Sequence, residues 1–86
     1  MYTVYLLKHL ITNQIYIGKT NNLKRRLDKH NSGGQTATKR KSGTWILIYA
    51  EAYRKKSDAD NRELRLKDHD RAKQELLKRV DESLKI

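Results

Sequence analysis

Residues 2–7, Tyr-Thr-Val-Tyr-Leu-Leu, constrain the fold more than any other segment. They are β-branched, aromatic or aliphatic, with apolar side chains on both alternating faces. A strand of that pattern must be covered on both sides. The chain has 86 residues, enough for one small domain and no second core. A domain of this size buries only about 60–65% of its unfolded surface, so it must be compact to fold alone.

The rest of the chain supplies the cover. Thr12-Asn13-Gln14 is a turn-like break, and residues 15–18 (Ile-Tyr-Ile-Gly) read as a second short strand, which predicts a hairpin. Asn21 or Asn22 caps a helix running to about His30, stopped by Asn31-Ser32-Gly33-Gly34. Residues 32–43 are polar and basic and read as a loop; residues 44–53 form the third and longest strand. Ser57-Asp58-Ala59-Asp60 reads as a capping-box variant opening a helix to about Lys67. A last helix spans about 70–84, with Ala72, Leu76, Leu77, Val80 and Leu84 on one face. The order ββαβαα predicts a single α+β domain over 1–86: a three-stranded, mostly antiparallel sheet flanked by helices.

Charge narrows the partner. The chain carries 20 Lys+Arg against 10 Asp+Glu, a net of +10. Residues 1–50 hold nine of the cations and one acid, Asp28, for a net of +8; residues 51–86 hold eleven cations and nine acids. The second part reads as salt-balanced helix surface, the first as a basic face for a polyanion. Its clusters are Lys24-Arg25-Arg26-Lys29 and Lys39-Arg40-Lys41. There is no Cys, which removes disulfides, thiolate metal cages and a Cys nucleophile. No apolar run approaches the ~20 residues of a membrane span. The apolar start breaks at Lys8 and His9, too soon for a signal peptide, so a cytoplasmic location is expected.

Polar residues fall on helix faces that should be apolar. Leu23 and Leu27 define the inward stripe of the first helix; Arg26 lies about 60° from Leu23 and His30 about 20° from it. Glu63 sits between Ala59 and Leu66 on the stripe of the second. An ionised carboxylate there needs a cationic partner or a metal. Packing accounts for these residues equally well: Arg26 can snorkel, His30 can sit at a helix C-terminus, and Glu63 can form an internal ion pair. The tyrosines tilt the reading towards a site. The chain has five Tyr, one Trp and no Phe, and Tyr5 and Tyr16 are placed to be cross-strand neighbours.

These residues resemble the GIY-YIG nuclease family. The second half-motif is intact as Tyr16-Ile17-Gly18, whereas the first is degenerate, Thr3-Val4-Tyr5, with only the tyrosine kept. Arg26, His30 and Glu63 follow in the family's order and spacing. The stretch from Gly18 to Asn31 is similar to small stand-alone members, related to the N-terminal nuclease domain of the bacterial excision-repair incision subunit. The resemblance covers about residues 2–68. It implies a metal-dependent DNA endonuclease of bacterial repair or recombination, with catalytic residues Tyr5, Tyr16, Arg26, His30 and Glu63. By the same resemblance Glu63 binds one divalent ion, Mg²⁺ or Mn²⁺. Arg26 grips the phosphate through two N–H groups. Tyr5 is the leading general base, Tyr16 orients water or phosphate, and His30 assists Tyr5 or contacts phosphate. A free phenol, with pKa about 10, is a poor base. Neighbouring cations must therefore lower its pKa, or a relay must take its proton. Lys19, Lys24, Arg25, Lys29, Lys39, Arg40 and Lys41 are expected to contact nucleic acid. An attached DNA-binding domain of the kind other family members carry is not expected here, so a monomer with a protein partner supplying specificity is expected. The competing readings are a non-catalytic basic binding module that keeps this fold and an adaptor that docks through its C-terminal helices.

Overall fold

A computed structural model of the chain describes residues 1–32 and 44–85. The elements are β1 (Tyr2–His9), β2 (Ile15–Thr20), α1 (Leu23–Ser32), β3 (Trp45–Tyr53), α2 (Lys56–Asp68), α3 (Asp70–Arg79) and α4 (Asp81–Leu84). The expected α+β class and order hold. The sheet is antiparallel at both pairings, in the order β2-β1-β3. β1 is central, and its side chains feed two cores. Val4 and Leu6 join Ile17, Ala59, Leu66, Leu76 and Val80 beneath α2 and α3. Tyr5 and Leu7 join Trp45 on the opposite face, packed by Tyr16, Leu23 and Leu27 beneath α1.

A register shift between Leu6 and Leu7 sets which residues share the second face. Leu6 pairs with Tyr49, but Leu7 pairs with Leu47, so β3 carries one extra residue. Side chains alternate along a strand, so a one-residue slip changes the face of all that follow. The shift brings Trp45 opposite His9, on the Tyr5 face. Asn31 then fixes the end of α1 to β3: its Oδ1 accepts from Trp45 N at 2.7 Å and its Nδ2 donates to Trp45 O at 3.2 Å. The sequence read Asn31 only as a helix stop; the helix runs on to Ser32. Asn22 caps α1, its Oδ1 accepting from Arg25 N at 3.1 Å.

Two expectations need correction. α2 starts at Lys56, with Lys55 at the N-cap and no side-chain cap bond, so Ser57 and Asp60 form no capping box. Asp60 is engaged by Lys19 and Lys56 instead. The last helix is broken at Val80 (φ −104°, ψ 23°), which separates α3 from the short α4. Leu76 and Val80, four residues apart, still bury in one core. No helix among the described residues is long and apolar enough to cross a membrane.

α2 is strapped across its face by ion pairs at both sheet edges: Lys19 of β2 to Asp60, and Arg62 Nε to both carboxylate oxygens of Glu51 on β3 at 3.1 Å. Its apolar anchors are Ala59 and Leu66. We expect Leu66→Ala to cost about 2–5 kcal/mol in urea unfolding, because a buried side chain leaves a cavity. Leu64→Ala, on the same helix but 56% exposed, should stay within about 0.5 kcal/mol.

Candidate active site

Gly18 stands directly opposite Tyr5 on β2, and Ala50 stands opposite it on β3. Tyr5 therefore lies between two small neighbours. A Cβ on Gly18 would fall on the Tyr5 hydroxyl, 2.6 Å from its Cζ and 3.0 Å from Tyr16 Cε1. The glycine is needed for close approach, since the ring passes over its backbone. Tyr5 is 1% exposed and His30 is fully buried. The two meet in a hydrogen bond of 3.1 Å between the phenol oxygen and His30 Nε2. Tyr16 completes the group, its ring 4.7 Å from His30 and 6.3 Å from Tyr5, centroid to centroid.

Why His30 reaches this point follows from α1. Leu23, Arg26, Leu27 and His30 lie at helical spacing, and all four are half-buried or buried against the sheet. The stripe expected from the sequence is thus formed, and its last member, His30, is bonded to Tyr5. Burial lowers the His30 pKa, and the Arg26 charge lowers it further, so the imidazole is neutral at pH 7. Burial pushes the Tyr5 pKa well above its ordinary value; Tyr16 and Glu63 add to the rise, and Arg26 only partly opposes it. The expected lowering by neighbouring cations is therefore reversed, because desolvation of a buried phenolate outweighs one nearby guanidinium.

Arg26 also lines a polar groove of about 190 Å³ with Thr20, Asn21, Asn22, Arg25 and Lys29. A wider hollow of about 380 Å³ continues along α1, where Lys24 joins Arg25 and Lys29. Four of the expected nucleic-acid cations are thus accounted for in different ways. Lys24, Arg25 and Lys29 form this basic track, whereas Lys19 is turned to α2 and paired with carboxylates. Lys39, Arg40 and Lys41 lie outside the described residues.

Glu63 approaches from the other layer. Its side chain is 22% exposed, and it pairs with Lys67 at 3.3 Å and Lys19 at 4.0 Å. Lys67 in turn places its ammonium 5.9 Å from the centre of the Tyr16 ring, so the two layers meet around β2. Among the described residues, no three His, Cys, Asp or Glu side chains converge as a metal cage. The sequence reading missed Asp60 and Lys67 as neighbours of Glu63. Lys67 carried a usable signal, since an i,i+4 Glu–Lys pair on one helix is expected to meet. Asp60, three residues before Glu63 on the same helix, carried one too; what showed only once β2 was laid against α2 is that Lys19 bridges the two. Hydrogen bonds from Lys19 and then Lys56 hold the Asp60 carboxyl below its usual pKa, and Asp60 raises Lys19 in return.

The chain matches the model of the GIY-YIG catalytic domain over residues 1–76, a span that contains all five of these site residues. It is also similar to the UPF0213 protein BH0048 from Bacillus halodurans, known from a solution NMR structure. The two are 31% identical and superpose with a TM-score of 0.56, covering 93% of this chain and 85% of that one. No curated protein matches the chain significantly.

The tightness at Gly18 is directly testable. Gly18→Ala should cost about 1–3 kcal/mol in urea unfolding, because a buried ring must shift. In that background Tyr5→Phe should recover part of the loss, because it removes the atom nearest the new methyl. Equal losses with and without the hydroxyl would place the strain on the ring carbons, Tyr5 Cζ above all, and not on the hydroxyl.

Proposed function

Because the chain belongs to the GIY-YIG nuclease family, we propose that it is a metal-dependent DNA endonuclease acting on branched or otherwise distorted DNA in bacterial repair or recombination. The observation that carries this reading is the buried Tyr5–His30 hydrogen bond, with the charges of Arg26 and Glu63 both acting on the phenol. That arrangement supplies a proton acceptor, a phosphate clamp and an anionic ligand within one small region.

The donor set fits a hard ion that keeps most of its waters. Glu63 offers one half-buried carboxylate and, among the described residues, no three-residue cage surrounds it, which suits Mg²⁺ or Mn²⁺ better than zinc. When bound, such an ion would polarise a phosphoryl oxygen and stabilise the departing one. The other functions fall to the chain. Arg26, on the wall of the basic groove, holds the phosphate through paired N–H groups, and Arg25 and Lys29 track the flanking backbone. Tyr16, half-buried beside Tyr5, orients the water. Tyr5 is buried in the free chain, so the relay begins once substrate binding admits a water to the Tyr5 oxygen: the water gives its proton to that oxygen as Tyr5 passes its own to His30 Nε2. The hydroxide oxygen bonds to phosphorus, and the bond to the leaving oxygen breaks. This relay never requires a free phenolate, so the raised Tyr5 pKa is no obstacle. It requires a neutral His30 in the tautomer that carries its proton on Nδ1, so that Nε2 accepts.

Cleavage of linear, nicked and branched DNA, with and without Mg²⁺, tests the reading. We expect metal-dependent cleavage that Glu63→Gln reduces by at least about 100-fold. Metal-independent, salt-sensitive binding without any cleavage would assign the non-catalytic reading instead.

The pH profile tests the relay. A histidine whose folded pKa is lowered stays competent down through pH 6.5 and fails only as pH falls through that lower value. Single-turnover rates should therefore be flat near neutrality and fall on an acid limb centred below about 6.5. His30→Gln should be slower and should lack the limb. A wild-type limb centred above pH 7 would exclude His30 as the proton acceptor.

A further inference from the structure

The proposed reaction leaves Asp60 unused, yet Asp60 and Glu63 stand three residues apart on α2 and share one partner, Lys19. Lys19 Nζ donates directly to Asp60 Oδ1 and stands 4.0 Å from Glu63 Oε1. The remaining oxygens are also paired, Asp60 Oδ2 with Lys56 at 2.9 Å and Glu63 Oε2 with Lys67 at 3.3 Å. The two lysines beside Glu63 differ in freedom. Lys67 is 47% exposed and rises from the same helix, so it can turn to solvent. Lys19 is 24% exposed and rooted in β2, and among the described residues these two carboxylates are its ion-pair partners. An ammonium seated on Glu63 would occupy its oxygen and repel an incoming dication. As it stands, that ammonium is bonded to the neighbouring carboxylate.

We propose that Asp60 is a positioning residue: it holds the Lys19 ammonium off Glu63 and so keeps Glu63 able to take a divalent cation. The inference rests on the metal-dependent function proposed for Glu63. It adds that Glu63 depends on a second carboxylate that binds no metal itself. Without Asp60, Lys19 closes the short remaining distance to Glu63 and neutralises it.

The test uses Mn²⁺ alone, titrated without DNA into the full chain and followed by the electron paramagnetic resonance signal of the free ion. Four proteins are compared: wild type, Asp60→Asn, Lys19→Met and the double variant, each checked for folding by circular dichroism. Asp60→Asn should weaken Mn²⁺ binding about tenfold when Lys19 is present, and about threefold or less when it is replaced. Lys19→Met alone should bind at least as tightly as wild type. Equal effects of Asp60→Asn in both backgrounds, or none in wild type, overturn the proposal. Glu63→Gln separates the two readings: if it binds Mn²⁺ as wild type does, the metal-dependent reading fails and this inference with it. A crystal structure of metal-free Asp60→Asn gives a second readout that needs no metal. Lys19 Nζ within hydrogen-bond distance of a Glu63 oxygen supports the proposal, and an ammonium left in solvent overturns it.

Discussion

A central strand buried on both faces must place every side chain in one core or the other, and in β1 one of those side chains is a phenol. Tyr5 sits among Leu7, Trp45 and Leu27 with almost no contact with water. A buried hydroxyl without a partner costs on the order of 1–3 kcal/mol, so the fold must supply one. It does so with His30, the last inward-facing position of α1. The imidazole is then buried as well, which keeps it neutral. The same packing that stabilises the sheet thus sets the protonation states of the site.

Getting His30 to that point takes several local devices that have no catalytic content. Asn22 fixes where α1 begins, and Asn31 ties its end to the first residue of β3. The register shift in β3 turns Trp45 towards the same face, where its ring stands 6.2 Å from His30 and 4.9 Å from His9. His9 is itself held by accepting two backbone N–H groups, of Ile11 and Thr12, at its Nδ1. Gly18 removes the one side chain that would collide with the phenol. The Tyr-Ile-Gly run is therefore a steric statement as much as a chemical one: the tyrosine contributes a ring, and the glycine makes room for another.

The sequence disclosed the parts that depend on local pattern. Two-sided hydrophobicity marked β1, the Leu23–Leu27 stripe marked α1 and drew attention to Arg26 and His30, and Glu63 stood out as an acid between Ala59 and Leu66. It misread what depends on tertiary competition. Ser57 and Asp60 have capping-box chemistry, but Lys19, 41 residues away from Asp60 in sequence, engages that carboxylate instead. Val80 continues the helical pattern, yet the chain breaks there, and Leu76 and Val80 still share one core. The sign of the Tyr5 shift was equally hidden. Counting nearby cations favours a lower pKa, whereas the depth of burial, a property of the assembled sheet, decides the outcome.

Residues from opposite faces of a sheet meet here because of where β2 lies. Alternation sends Tyr16 and Gly18 towards α1, but sends Lys19 towards α2. In the middle of a sheet those two sets would be separated by the backbone layer. β2 is an edge strand, and at an edge long side chains can reach around. Lys67 of α2 does so, standing over the ring of Tyr16 from the far layer. The edge is also where unpaired backbone groups would invite another strand. Flanking it with a basic groove on one side and a lysine–carboxylate cluster on the other makes it a poor template for strand addition. Part of the basic excess of the first 50 residues therefore belongs to the geometry of this edge: the cations of α1 line one wall of it, and the acids of α2, held by lysines, form the other.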